Sequence, residues 1–354
     1  MKRILVYFLL FIFAVSCHKE EDPVTINSLG QVKLDNYSSG NDRSGLGALV
    51  VSHEGSKIYY AINNYEASRF EMRMIDASGE VKKLFSGEGI IQALDISDDD
   101  NKLLYSTSRD YEGQRTAKLY EFTLDTEIAG LTLSVTGDGS IWNSQYLPDG
   151  DVIYTQGDGL VHVSLRRMNI ALKEVTVLLE KSENPLLIDI DKTGGKLLLQ
   201  GWSNSRIMTL NFDGTDLRDY GQQIIQIGPI SFSPDGSEIL ASEIFNPQQT
   251  NGLAYNGAVS YNIETGEKSI LTPEKKDNVP FGYGKNLNEL ILNVRDGAGT
   301  QGELSVFNKE LNTYERLTNN DQYEIFYGFY GNSTDRILFI ARNENSSALY
   351  IYNR

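Results

Sequence analysis

Ile230-Ser231-Phe232-Ser233-Pro234-Asp235-Gly236-Ser237-Glu238-Ile239-Leu240-Ala241-Ser242 reads as two short strands joined by a tight turn. Proline presets φ for the turn, and Asp and Gly suit its later positions. The β-branched and aromatic residues on either side fit pleated strands. Downstream, Ala258-Val259-Ser260-Tyr261-Asn262-Ile263, then Glu264-Thr265-Gly266-Glu267, then Lys268-Ser269-Ile270-Leu271-Thr272 give a third strand, a turn and a fourth. Four strands in about 46 residues is the size of one β-propeller blade.

The same grammar recurs along the chain. Turns are predicted at Ser52-His53-Glu54-Gly55, Asp98-Asp99-Asp100-Asn101, Pro148-Asp149-Gly150, Lys192-Thr193-Gly194-Gly195, Asn286-Leu287-Asn288 and Ser333-Thr334-Asp335. An apolar second strand follows each, as in Ile58-Tyr59-Tyr60, Leu103-Leu104-Tyr105, Val152-Ile153-Tyr154, Leu197-Leu198-Leu199, Leu290-Ile291-Leu292 and Ile337-Leu338-Phe339. Over about residues 45–354 the pattern resembles the TolB-type β-propeller repeat, most clearly in the copy that opens at Ile230. The expected fold is all-β, a seven-bladed propeller of four-stranded antiparallel blades. Its last copy ends after a third strand, at Tyr352-Asn353-Arg354. Gly30-Gln31-Val32-Lys33-Leu34 resembles the fourth-strand pattern Gly266–Leu271, so this N-terminal strand is predicted to close the ring. Closure removes a blade edge that would otherwise template aggregation.

The N-terminus carries an address. Lys2 and Arg3 precede an apolar run from Ile4 to Phe13, then Ala14-Val15-Ser16 and the chain's one cysteine, Cys17. This is secretory-signal architecture, too short to span a bilayer. Ala14-Val15-Ser16-Cys17 resembles the lipobox of bacterial lipoproteins. That resemblance implies cleavage before Cys17, diacylglycerol on its sulfur and a fatty acyl group such as palmitate on its amine. His18-Lys19-Glu20-Glu21-Asp22-Pro23 resembles the export signal of Bacteroidetes-type surface lipoproteins, which implies a lipid-anchored protein of the outer membrane facing the cell exterior. The expected organisation is a signal peptide over 1–16, an acidic tether over 17–27 and the propeller over 28–354.

The formal net charge is -16, with 48 acidic against 32 basic residues. Such a chain lacks the basic footprint of a nucleic-acid binder, and the lipid anchor has to carry its membrane attachment. A lone cysteine allows no internal disulfide. Catalytic and metal-binding constellations are missing from the sequence. Of its three histidines, His18 lies in the tether, His53 at a turn and His162 in a third strand, too dispersed for a multi-histidine centre. Some TolB-type propellers are metal-dependent lyases of pectate oligomers that use several histidines, and this chain cannot supply that cluster. Thr136-Gly137-Asp138-Gly139-Ser140-Ile141-Trp142 is a single imperfect likeness of a sialidase-type Asp-box. Asp95 with Asp98–Asp100, and Asp189 with Asp191, read as turn features, because a Ca²⁺ loop of the EF type needs alternating oxygens and a terminal glutamate. No metal or cofactor is expected.

In a propeller, the loops joining second to third strands and fourth to first strands share one face. Here Ser106–Lys118 and Ser242–Asn256 are expected as long loops and Gln156–Leu160 as a short one. Long loops on a rigid frame are where recognition usually sits. Tyr65, Arg69, Arg109, Tyr111, Arg115, Trp142, Trp202, Arg206, Phe245, Tyr255, Arg295 and Arg342 are placed on or near this face as candidate ligand-binding residues. Arginine forks suit carboxylates, and aromatic planes can stack on a sugar or an apolar side chain. The favoured reading is a monomeric, non-enzymatic binding or scaffold module for a glycan, peptide or envelope-protein partner. Its rivals are a carbohydrate-active enzyme, glycosidase or lyase, and a periplasm-facing accessory of an envelope complex.

Overall fold

The computed structural model describes residues 22–34, 44–111, 114–135, 139–158, 163–180, 184–201, 205–222, 229–245, 255–272, 276–296, 301–330, 336–344 and 346–354. Among these residues the strands form seven four-stranded antiparallel sheets, the seven blades of a propeller. The inner strands are Ser44–Val51, Ile90–Ile96, Gly139–Tyr146, Pro185–Asp191, Ser231–Phe232, Asp277–Tyr283 and Glu324–Tyr330.

The turn that identified the repeat is built as its chemistry requires. Ser233 and Glu238 close it through Ser233 N–H to Glu238 O at 2.9 Å, and Gly236 donates to Ser233 O at 2.9 Å. The Asp235 carboxylate accepts from the Ser233 and Ser237 hydroxyls, both at 2.7 Å, and from Ser237 N–H at 3.0 Å. Gly236 sits at φ +69°, in the left-handed region that favours glycine.

Second strands are buried on both faces, as Ile58–Ile62 is without interruption. Each face packs against a different blade, so the apolar material divides into one cluster per seam. Leu104, Leu119, Tyr146 and Tyr154 join blades two and three, and Leu165, Leu187 and Leu199 join three and four. Outermost strands carry little of this core, and Ile128, Leu131 and Ile270 there are largely exposed.

Closure follows the sequence expectation residue for residue. Gly30–Leu34 pairs antiparallel with Ser347–Asn353, from Gly30 opposite Ile351 to Leu34 opposite Ser347. Val32 is buried at the seam with blade one, against Tyr60, Leu338 and Leu349. A second contact precedes the closing strand. Val24 donates to Leu317 O at 3.1 Å and accepts from Asn319 N–H at 2.8 Å. The 3₁₀ turn Ile26–Ser28 then drops Ile26 into the core between blades six and seven. Among the described residues, contacts with the ring are thus already made at Val24, a little before the boundary at 28 read from the sequence.

One loop expectation is corrected. Ser106–Lys118 is mostly hairpin: Lys102–Tyr111 and Gln114–Thr123 stay paired down to Tyr111 opposite Gln114. Ser242–Asn256 is likewise shortened by strand pairing down to Phe245 opposite Tyr255. In both blades strand pairing therefore extends into the segments expected as loops.

Candidate functional site

The inner strands surround a central cavity of about 1100 Å³. Its wall mixes aliphatic side chains, such as Leu46, Ala48, Val50, Leu94, Ile188 and Ile340, with polar groups from Gln92, Asn143, Ser144 and Gln145 in comparable measure. Six of the seven inner strands shift register against their second strands, at Gly47, Gln92, Asn143-Ser144, Ile188, Phe281 and Phe326. A bulge leaves ladder groups unpaired and re-aims side chains.

Polar side chains on the preceding blade's second strand meet these bulges. Asn63 donates to Ile91 O and accepts from Ile91 N–H, both at 2.9 Å. Ser106 donates to Ile141 O at 3.0 Å, Thr155 accepts from Leu187 N–H at 2.9 Å, and Asn293 donates to Ile325 O at 2.9 Å. Gly47 leaves room for Asn63, since a Cβ there would run into the Asn63 amide.

Asp95 and Asp189 also line the cavity. Neither is part of a turn, which corrects the sequence reading; both lie near the ends of inner strands and reach toward the next blade. Asp95 accepts from Tyr146 N–H at 2.7 Å, and Asp189 from Phe232 N–H at 2.9 Å and Ile190 N–H at 2.8 Å. Their remaining exposure is to the channel rather than to bulk solvent. Burial pushes both carboxyls up, Asp189 to about 6, where the charges of Asp191 and Asp95 add to the rise and the two N–H groups oppose it. At the nearby turns, His53 Nδ1 lies 2.8 Å from Asp100, and Lys192 reaches across to Asp98.

The raised Asp189 value has a consequence for pH. The native state holds this proton when the unfolded chain has released it, so the group's contribution is complete below 3.8 and is lost as pH climbs toward about 6. Asp189→Asn keeps an acceptor for Phe232 N–H without the buried charge. Scanning calorimetry should show its melting temperature a few degrees above the parent at about pH 8 and nearly equal to it at about pH 4. Equal melting temperatures at both values would show that the carboxylate carries no burden.

The opposite mouth carries paired opposite charges. Asp277 opens the inner strand of blade six opposite Arg295, and Glu324 opens that of blade seven opposite Arg342. Arg295 lies 3.9 Å from Asp277 and 3.4 Å from Glu324, and Arg342 lies 3.5 Å from Glu324. The four charges alternate around the rim. Nothing flagged Asp277 or Glu324 from sequence, although each precedes its arginine at the same spacing.

The other candidates fall into separate groups. Arg109 contacts Glu88, the rung partner of Arg69, and Arg69 and Glu88 line a smaller cleft of about 430 Å³ with Ser44, Asn64 and Arg73. Phe245 and Tyr255 face each other with ring centroids 6.3 Å apart. Arg206 pairs with Asp219 toward the outer strand of blade four. Arg115 stands opposite Asp110 in the long hairpin, Tyr65 is exposed at a hairpin of blade one, and Trp142 is half-buried on an inner strand opposite Thr155. Cys17, Trp202 and the side chain of Tyr111 lie outside the described residues. The candidates thus form clusters instead of one continuous surface.

Among the described residues no group of three or more His, Cys, Asp or Glu side chains could hold a metal ion. No family model and no curated protein matches the chain. Solved structures do. An oligogalacturonate lyase in complex with manganese is 16% identical, with a TM-score of 0.62, 90% of this chain covered and 96% of that one. An oligogalacturonate lyase from Vibrio parahaemolyticus is 14% identical, with a TM-score of 0.60 and coverage of 91% and 90%. The hydrazine synthase of Kuenenia stuttgartiensis is 11% identical, with a TM-score of 0.60 and coverage of 88% and 96%. Proteins of such different chemistry share only the architecture with this chain, and what the likeness establishes is the β-propeller fold.

Proposed function

We propose that this chain is a lipid-anchored β-propeller of the bacterial outer membrane that binds a partner at its loop face without transforming it. The observation that carries the reading is the state of the cavity carboxylates. Asp95 and Asp189 are already engaged by main-chain N–H groups that tie one blade to the next. A carboxylate spent in this way is a poor proton shuttle, whereas Arg342 lines the cavity at its other mouth. The anchor rests on Ala14-Val15-Ser16-Cys17. Cys17→Ala is expected to move the protein from the membrane to the soluble fraction and to abolish incorporation of labelled palmitate. Membrane retention in that variant would end the lipoprotein reading. Proteinase treatment of intact cells should degrade the propeller, and its survival would place it on the periplasmic side.

One observation favours an enzyme instead. A cavity carboxyl near 6 is suited to general acid–base work on a polysaccharide. Incubating the full chain with neutral and acidic polysaccharides and assaying new reducing ends separates the two readings. Cleavage that Asp189→Asn abolishes while the fold persists would establish the enzyme.

A further inference from the structure

We propose that the loop face is the surface this protein presents to the membrane of its own anchor, with the acidic turn face pointing away from the lipid. The inference rests on the lipoprotein reading above and narrows the partner to one within reach of that bilayer.

The first argument is where the chain joins the ring. Val24 bridges to Thr318, in the connection from the fourth strand of blade six, Thr313–Arg316, to the first strand of blade seven, Glu324–Tyr330. Connections of this kind lie at the loop-face end. The adjoining Arg316 pairs with Glu303, which opens the third strand of blade six opposite Val294, next to Arg295. Val24 therefore sits at the same end of the ring as the Arg295 rim. Seven residues lead from Cys17 to Val24 and span at most about 25 Å when fully extended. With the turn face against lipid, those residues would have to climb the whole height of a blade. Strands of seven residues, such as Glu289–Arg295, make that height about 20–25 Å, which leaves no slack. With the loop face against lipid the same tether is ample.

Charge supplies a second, independent argument. At the turn end, carboxylates are held by neutral donors, which leave their charge in place. Asp76 accepts from the Ser78 hydroxyl, Asp99 from that of Ser97, Asp213 from that of Thr215 and Asp235 from those of Ser233 and Ser237. The hydroxyl bond is the largest influence on Asp76, Asp99 and Asp213 and holds all three below the usual carboxylate range. At the loop-face end, acids are matched by arginines: Glu88 by Arg109, Asp219 by Arg206, Asp277 and Glu324 by Arg295, and Glu303 by Arg316. An anionic headgroup layer repels ionised carboxylates within about a Debye length of it, so the turn end is the one it turns away.

The test uses the full lipidated chain in vesicles of phosphatidylethanolamine with phosphatidylglycerol, with an energy acceptor on the headgroups. In the lipidated chain the Cys17 sulfur is blocked, so one introduced cysteine carries the donor dye. Four exposed positions are compared: Asp321 and Glu180 in loop-face connections, Glu310 and Leu172 in turns of the same blades, six and three. Blade three lies across the ring from the tether, so the second pair separates a ring lying face down from one standing on its rim. Transfer from Asp321→Cys and Glu180→Cys should exceed that from Glu310→Cys and Leu172→Cys at least about twofold, given the height of a blade. Equal transfer from the two ends of a blade, or stronger transfer from the turns, in protein that floats with the vesicles would overturn the proposal and leave the anchor intact. A chain that fails to float would overturn the lipoprotein reading, and this proposal with it.

Discussion

Removal of residues 24–34 is expected to lower the melting temperature by more than about 10 °C and to make the protein aggregate on heating. The segment supplies the whole outer strand of blade seven, the buried Ile26 and Val32, and the backbone bonds of Val24. Burying each of these side chains is worth about 1.5–3 kcal/mol, and the cavities left behind add to the loss. For a chain of this size each kcal/mol corresponds to a few degrees. The deletion also bares the edge of Ser347–Asn353, a ready template for intermolecular pairing. Ile26→Ala isolates the packing term and should cost about 2–5 kcal/mol. Differential scanning fluorimetry with light scattering reads both effects; an unchanged midpoint for the deletion would mean that the ring holds without its closing strand.

Asn63→Ala is expected to be the most damaging single polar substitution. Asn63 is 1% exposed and pairs with both main-chain groups of Ile91 across the seam between blades one and two. Alanine leaves the Ile91 N–H and C=O both unpaired beside a void that holds no replacement donor. Each orphaned group costs about 1–3 kcal/mol, so a loss of about 2–5 kcal/mol is anticipated. Hydrogen exchange at the Ile91 amide should accelerate by a large factor, while amides in blades four and five stay protected. Asn63→Asp sharpens the test. A carboxylate accepts from Ile91 N–H but opposes Ile91 O, and only its protonated form can donate. That variant should therefore be least destabilised in acid and lose stability as pH rises. Uniform loss of protection around the whole ring would show instead that the contact has no local role.

The fold was legible because its information is local. A Pro-Asp-Gly turn followed by an apolar run specifies two strands without reference to the rest of the chain, and Gly30–Leu34 was readable as a fourth strand because it copies Gly266–Leu271. Ser106–Lys118 was misjudged for a physical reason. Ser106, Thr107 and Ser108 are polar residues buried in the hairpin, so the segment does not alternate apolar with polar and its composition resembles a loop. The cavity was less accessible to reading. Asp95 and Asp189 acquire their role only when the next blade brings Tyr146 and Phe232 to them, and no pattern inside one repeat encodes that meeting. Arg295 and Arg342 were identifiable as candidates from residue type, yet the glutamate that couples them comes from a different strand.

The place where the chain enters the ring has a mechanical consequence. Coming from the N-terminus, the backbone first grips the outer side of blade six through Val24, then seats Ile26 in the seam, and only then runs along blade seven. A pull applied at the N-terminal end is borne by the Val24 bonds and the Ile26 plug before it reaches the closing strand. The closing joint of the circle therefore stands behind a strain relief, and such a pull loads the seam between blades six and seven before it unzips the ring.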